Sequence, residues 1–556
     1  MGRTNTSEKN IIAQASILMA AGILVRIIGV LYRSPVTSII GDEGNGYYGI
    51  AYNLYSMVLL ISSYSIPMAV SKVVSGKLAL KKYKEAHKVF RCALIYVLIV
   101  GALASLFTFF GAAILIPDSQ QKAIPVLKVL APAIFLSGFL GVLRGYFQAH
   151  SSMIPTSISQ IIEQVINAIV SIGAALLFIW MFAGGNADTV PVFGAMGSAA
   201  GIVAGVAAGL VFMILIYQKN RPYFKKHYRQ DITAEESSYK DIFKIIFLMV
   251  TPVILSTFVY NISATLDQTI FMDVMDYKGM VSKTAAALYG VFSTKYLTLI
   301  NVPVALANSM STAMIPAISS AYTIEDYEKC NAQVKQSIQV TMLISIPSAI
   351  GLCVLAYPVM QVLFPQKDTI DLAVNLLRIG CISVVFYCLS TVTNGVLQGI
   401  GKVNVPLRNA AVSLLIHVVV LAGLLYFTNM DLTALVFATM LYAFLMCLFN
   451  SISVKKYLGY RQELRKTFLI PFISAVGMGV LCYIFYQGLY FLLQMLFGAI
   501  LPLRIVVFVC MMVSIGFAVI VYFALLIKLR GVSEAELRNF PKGYVIARCA
   551  KKFHLM

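Results

Sequence analysis

Apolar runs of about 20 residues, each long enough to cross a hydrocarbon core of roughly 30 Å, recur from Ile11 to Lys528 with only short polar breaks between them. A chain built this way cannot bury its apolar surface in one water-soluble core, so much of that surface must face lipid. The composition agrees. The 556 residues are 59% hydrophobic and 12% charged, with a mean hydropathy of +0.84, against about 45–50% apolar and about 25% charged in soluble domains. The expected fold class is an all-α polytopic membrane protein of about 14 transmembrane helices. The spans fall near 11–33, 46–75, 89–117, 123–148, 155–183, 189–217, 242–274, 284–318, 337–364, 371–400, 405–428, 431–454, 467–492 and 500–528. The first run carries Arg26 at its middle and has no small-residue cleavage site before the next, so it is expected to stay in the mature protein.

Orientation follows from where Lys and Arg collect. Breaks after even-numbered spans hold clusters such as Lys77, Lys81, Lys82, Lys84, Lys219, Arg221, Lys225, Lys226, Lys455 and Lys456, whereas those after odd-numbered spans hold little beyond Lys122, Lys278, Lys283, Lys367 and Arg504. The positive-inside rule therefore places the even breaks and both termini of this multi-pass membrane protein in the cytoplasm. The net charge of +20 reports this topology and contact with anionic membrane lipid, and no nucleic-acid partner is expected. The nine Cys are scattered without a C-x-x-C pair and read as small buried hydrophobes, with no metal site expected.

The second half echoes the first. Gly141-Val142-Leu143-Arg144-Gly145 returns 254 residues later as Gly395-Val396-Leu397-Gln398-Gly399, each followed by a short loop and a Pro, Pro155 or Pro406, that opens the next span. Ile66-Pro67 returns 249 residues later as Ile315-Pro316. Nearly equal offsets point to two six-helix lobes in a parallel repeat. The expected domains are an N-terminal lobe over 1–220, a basic linker over 221–241, a C-terminal lobe over 242–454, two extra helices over 455–528 and a basic tail over 529–556. Gly197, Gly201, Gly205 and Gly209 in the sixth span predict a very close helix neighbour.

A charge at mid-bilayer costs roughly 2.5–3.5 kcal/mol on insertion scales and usually faces a wet cavity or a partner. In the first span Gly22, Arg26, Gly29 and Arg33 recur at helical spacing, which puts two guanidiniums about 10 Å apart on one small-residue face. An Arg fork suits phosphate oxygens; the plainer alternatives are an ion pair for Arg26 and an interfacial anchor for Arg33. Lys295 lies near the middle of the eighth span, followed by Thr298, Asn301 and Asn308, and could instead pair with Asp267. The fifth span carries the stripe Ser159, Gln160, Glu163, Gln164 and Asn167; the seventh carries Asn261, Thr265, Asp267 and Gln268; the second contributes Asn53. Glu163 and Asp267 either bind a coupling cation or neutralise Arg26 or Lys295. His417 is expected as a hydrogen-bonded interior residue ahead of a proton relay. No nucleotide-binding or hydrolase motif is present, which argues for a non-enzyme with no cofactor, coupled to Na+, H+ or the membrane potential.

Leu143-Arg144-Gly145-Tyr146-Phe147-Gln148, then Pro155-Thr156, Ser159-Gln160 and Glu163-Gln164, with Pro67-x-Ala69-Val70-Ser71-Lys72, resemble the multidrug/oligosaccharidyl-lipid/polysaccharide exporter superfamily, and within it the branch of MurJ-type lipid II flippases and stage V sporulation protein B. The resemblance runs along nearly the whole chain. It implies two lobes that alternate between inward-open and outward-open, a cationic cavity for pyrophosphate and sugar, and a polyprenyl-tail groove on the last two helices. Arg26 with Gly29 and Lys295 before Pro303 match the cavity pattern of MurJ relatives, although Val25 stands where that pattern has Ser, and Arg33 aligns near a further family Arg. The sodium site of some relatives is not carried over, because the eleventh span offers Arg408, Asn409, Ser413 and His417 but no carboxylate.

The function expected is export of an undecaprenyl-pyrophosphate-linked cell-wall precursor, lipid II foremost, from the cytoplasmic to the outer leaflet by a monomer. Arg26, Lys295 and Arg33 are the pyrophosphate and head-group residues, and Glu163, Asp267, Asn261, Asn53 and Gln160 the polar cavity residues. The alternatives are a cation-coupled multidrug exporter, an exporter of another lipid-linked oligosaccharide, and a non-transporting scaffold in wall or spore assembly.

Overall fold

The computed structural model describes residues 2–64, 66–150, 152–231, 238–364, 366–497 and 500–532; within its helices some side chains, those of 2–20 and most of 249–261 among them, are not described. The basic tail from 533 onward lies outside the described residues, as does 232–237 of the expected linker.

The described residues are helical, with no strand among them. The first half contains α1 (Gly2–Leu59), α2 (Ile66–Ala79), α3 (Tyr83–Phe110), α4 (Ile124–Ala149), α5 (Ile154–Phe182), α6 (Val190–Gln230), α7 (Tyr239–Tyr277) and α8 (Ser282–Gly290). The second contains α9 (Leu297–Thr323), α10 (Tyr327–Val354), α11 (Ile370–Gly380), α12 (Ser383–Gly399), α13 (Asn404–Phe427), α14 (Leu432–Leu458), α15 (Ile470–Phe497) and α16 (Leu503–Lys528). Among the described residues 11 helices are long and apolar enough to span a membrane, or 12 if α11 and α12, bent by 48°, count as one span. That is fewer than the roughly fourteen expected from the apolar runs. The first two expected spans follow one another within α1 across a break at Gly41, and the seventh, in α7, has its central side chains outside the described residues.

Exposed apolar side chains explain why such a fold needs lipid. Leu103, Ile169, Leu415 and Ile520 are all more than 60% exposed, a surface stable only where the solvent is hydrocarbon.

The chain divides into two compact units, 1–294 and 295–556. The lobes expected from the repeat meet in the linker 221–241, whereas contact density divides the chain inside the eighth span, because α8 packs tightly on α1. In the first unit, α2, α3, α4 and α6 enclose a core of Val70, Val74, Val89, Phe90, Leu140, Val142, Tyr146 and Met213. The glycine ladder of α6 lies against α5: a Cβ on Gly197 would strike the Ala174 carbonyl, one on Gly201 the Ser171 hydroxyl, and one on Gly205 would sit 2.5 Å from the Glu163 carbonyl oxygen. The close neighbour expected for this ladder is α5.

The repeated motifs meet each other in each half. A Cβ on Gly145 would lie 2.5 Å from the Pro67 carbonyl oxygen, and one on Gly399 would lie 3.4 Å from the Ile315 carbonyl oxygen. Two short sequence matches therefore mark one packing contact made twice.

Candidate functional site

Helix α1 carries the first candidate face. Arg26 is exposed and makes no ion pair among the described residues. One turn on, a Cβ at Gly29 would lie 3.3 Å from Gln164 Nε2, so α1 rests directly on the polar stripe of α5. Asn167 Nδ2 donates to the Tyr32 hydroxyl at 3.5 Å. Arg33 is half-buried, hydrogen-bonded to Tyr32 and within electrostatic reach of Tyr48 and Tyr52.

The backbone breaks at Gly41, whose φ of 69° and ψ of 178° suit only a residue without a Cβ. After the break Tyr48, Tyr52 and Tyr55 recur at i, i+4 and i+7, with ring centroids 5.8 Å apart in each successive pair. Tyr55 continues the row toward α4 and α5, bonding Ser137 and lying within reach of Glu163. The pattern was readable in the sequence as one helix face, but tyrosines at that spacing are also ordinary packing, and only their approach to Arg33 distinguishes them.

Glu163 accepts from Arg144 NH2 at 2.7 Å, while Arg144 Nε donates to Ser159 Oγ at 2.8 Å. Both charges are thus held between α4 and α5, and Glu163 pairs with Arg144, which is neither of the two cations expected for it, Arg26 and Lys295. Gln160, one turn before Glu163, is half-buried. The sequence offers Arg144 only as part of the Leu143–Gln148 stretch, because nothing in a single chain states which neighbouring helix an arginine will reach.

A second polar cluster joins α1, α7 and α8. Asn53 Nδ2 donates to Gln268 Oε1 at 2.9 Å and to the Tyr289 hydroxyl at 2.6 Å. Asp267 is buried beside it and acts electrostatically on Tyr289. Two expected site residues, Asn53 and Asp267, are therefore neighbours; Tyr289 joins them without a sequence signal of its own. The Asn261 side chain lies outside the described residues.

In the second unit Lys295 is fully buried and its Nζ donates to Thr369 Oγ1 at 2.7 Å. It sits in a π-helical turn, Val291–Tyr296, a local widening that tends to mark functional positions in helices. In this conformation its ammonium is turned into protein. Asn301 and Asn308 are exposed farther along. His417 is buried and bonds the Ala438 carbonyl through Nδ1 at 2.8 Å, consistent with an interior hydrogen-bonded residue. Asn409 likewise donates to Asn450 and Ser453, each at 3.0 Å.

The end of the first unit beyond Gly41 is shut by backbone and charge together. A Cβ on Gly46 would overlap the Ala286 carbonyl, and one on Gly290 would overlap the Asp42 carbonyl and sit 2.7 Å from the Gly46 nitrogen. Beside this contact the buried Glu43 accepts from the Tyr47 hydroxyl at 2.8 Å and faces Lys122 at 3.8 Å and Lys283 at 3.4 Å; Lys283 also reaches Asp188 at 3.1 Å. The bond from Lys283 holds the Asp188 carboxyl below its usual range. Each lysine is about half exposed, so water screens these pairs. Glu43→Gln is therefore expected to lower the midpoint of thermal unfolding in detergent only slightly; an unchanged midpoint would show that the backbone contact alone closes this end.

Residues 11–322 match the family model described as polysaccharide biosynthesis protein, more than half of the sequence. The chain belongs to the polysaccharide biosynthesis protein family. Residues 252–422 also match the MatE model. Among characterised relatives, the lipid II flippase MurJ of Bacillus subtilis (strain 168) is 24% identical over 472 residues, covering 82% of this chain and 84% of the relative. Stage V sporulation protein B of the same organism is 24% identical and covers 72% and 75%. Two solved structures share the fold with a TM-score of 0.61 and 14% identity: a MurJ lipid II flippase in an inward closed conformation, covering 91% of this chain and 97% of the other, and an inward-facing multidrug resistance MATE transporter, covering 80% and 99%. This family member is therefore a multi-pass membrane transporter of the multidrug/oligosaccharidyl-lipid/polysaccharide superfamily, as the residues around Arg144 and Pro155 led one to expect.

Proposed function

We propose that this transporter is a flippase for an undecaprenyl-pyrophosphate-linked cell-wall precursor, lipid II foremost, moving it from the cytoplasmic to the outer leaflet by alternating access. The observation that carries the reading is the α1 face: Arg26, exposed and without an acidic partner among the described residues, one helical row from Arg33 among Tyr32, Tyr48 and Tyr52. Guanidiniums take pyrophosphate oxygens bidentately, and tyrosine rings and hydroxyls supply stacking and hydrogen bonds to a sugar. Lys295 is assigned a second phosphate contact, made once the π turn releases it from Thr369. Asn53 and Gln160 are assigned to the head group. The apolar outer faces of α15 and α16, which carry exposed Val480, Ile484 and Ile520, take the polyprenyl tail. A flippase of this kind makes and breaks no covalent bond.

A cationic-drug exporter would need a carboxylate open to the drug, and here Glu163 is committed to Arg144 while Asp267 is buried. Coupling is assigned to the inside-negative membrane potential, which favours outward passage of an anion by about 2.3 kcal/mol per charge per 100 mV, with Glu163 and Asp267 as fixed counter-charges.

The test is translocation of labelled lipid II in a flippase-depleted bacterium expressing this chain. The wild type is expected to restore flipping. Arg26→Ala, with a charge-assisted contact worth about 1.5–3 kcal/mol removed, is expected to reduce it at least tenfold. No flipping by well-inserted wild type would redirect the reading to another lipid-linked oligosaccharide; flipping untouched by Arg26→Ala would remove the assigned role of the α1 face.

A further inference from the structure

A cavity of about 1170 Å³ lies wholly inside the first unit, walled by α2, α3, α4 and α6, apart from the α1 face. Its rim carries Arg91, Arg221 and Lys225, all exposed and none with an acidic partner among the described residues. Arg91 and Arg221 both act electrostatically on the Tyr217 hydroxyl, which lines the same cavity. The wall is a cluster of touching rings: Phe90 to Tyr146 at 4.3 Å, Tyr146 to His150 at 4.6 Å, His150 to Phe224 at 4.9 Å and Phe224 to Tyr217 at 5.7 Å between centroids. His150 Nδ1 is tied to the Tyr146 carbonyl at 2.9 Å, and burial pushes its pKa below the ordinary range, so it adds rigidity and no charge. The floor is aliphatic and aromatic, with Leu94, Phe139 and Ile214.

The depth of each part decides what fits. Ile214 precedes Arg221 by seven residues on one helix, about 10 Å along the axis, so the cations stand roughly a head-group's height above an apolar floor. Ile214 is 38% exposed, and Val211 and Leu215 beside it are more exposed still, so this floor is open to the bilayer. The volume slightly exceeds the range of about 300–1,000 Å³ for ordinary ligand pockets and far exceeds the needs of a lone phosphate. A phosphate among Arg91, Arg221 and Lys225 with an apolar chain descending past Ile214 satisfies every wall. The basic rim belongs to the side that the positive-inside rule assigns to the cytoplasm.

We propose that this cavity between α3, α4 and α6 is a binding site for a phosphate-headed lipid of the cytoplasmic leaflet, its phosphate held by Arg91, Arg221 and Lys225 and its chain laid over Leu94, Phe139 and Ile214. The site does not depend on which substrate the transporter carries, and the experiment below reads lipid retention and not transport, so either reading can fail without the other.

Purified full-length protein in phosphatidylcholine nanodiscs doped with phosphatidylglycerol, or in a second arm with a polyprenyl phosphate, is released into native mass spectrometry and the retained lipid counted. The wild type is expected to hold one anionic lipid in at least one arm, and the arms tell a bulk phospholipid from a polyprenyl carrier. Arg91→Ala with Arg221→Ala is expected to weaken retention about tenfold or more; the paired Lys substitutions, which keep the charge, are expected to stay within a few-fold. Ile214→Trp, which fills the floor without touching the rim, is expected to lower retention comparably. Equal retention by the Ala and Trp variants overturns the site. Complete displacement of the lipid by inorganic phosphate or a nucleotide at equal concentration overturns its lipid character.

Discussion

Leucine in place of Gly46 is expected to abolish translocation while leaving the protein inserted and folded. A Cβ at that position would overlap the Ala286 carbonyl and crowd the rest of that peptide unit. The obstacle is backbone, so no rotamer change can relieve it. The Gly290 backbone closes on the same spot from α8, and Ser293 Oγ would lie 2.6 Å from a Cβ at Gly49 one turn on. Overpacking of a tight contact costs about 1–3 kcal/mol, and 2.7 kcal/mol suffices to move a two-state equilibrium about a hundredfold. Under alternating access, a closure that cannot form halts the cycle, so the labelled-lipid assay is expected to fall below about a tenth of wild type. Gly173→Ala is the matched control, since a Cβ there meets nothing within 4 Å, and it should transport normally. Full transport by Gly46→Leu would mean that the contact between α1 and α8 is no part of the working cycle.

The Gly46 contact also marks what a single sequence can and cannot tell. The ladder Gly197 to Gly209 announces a close neighbour because glycines four apart have no other common use in an apolar helix, and α5 is that neighbour. The twin motifs ending at Gly145 and Gly399 were legible as a repeat because each carries its own offset. Gly46 and Gly290 carry no period. Each is a glycine whose purpose lies on another helix 240 or so residues away. Partners on other helices are hidden in the same way, Arg144 from Glu163, Asn53 from Tyr289 and Lys295 from Thr369: periodicity says which face of a helix is polar, and nothing about which helix that face meets. The widened turn at Lys295 was equally hidden, since π geometry leaves no residue signature. Charge, by contrast, was legible. Arg26 stands out because lipid tolerates few cations, and its side chain is exposed.

Glu163 is where sequence and structure together permit a sharper choice than either alone, because a coupling acid and a fixed counter-charge respond differently to the loss of Arg144. Replacing either member of the pair strands the other between α4 and α5 with only 15% of the Arg144 side chain and 30% of the Glu163 side chain exposed. Stranding a fully buried charge costs about 3–5 kcal/mol; the residual exposure reduces that here to about 2–3 kcal/mol, with Arg144→Leu and Glu163→Leu each expected to lower the unfolding midpoint markedly. The double variant removes both charges and replaces them with apolar groups, so its stability is expected to return to within about 1 kcal/mol of wild type. Transport then decides the role. If Glu163 is a counter-charge to Arg144, as proposed, the double variant flips labelled lipid at a rate within a few-fold of wild type while each single variant is impaired through loss of folded protein. A double variant as stable as wild type but inactive would make Glu163 the site of ion coupling, and the membrane potential would then no longer suffice as the driving force.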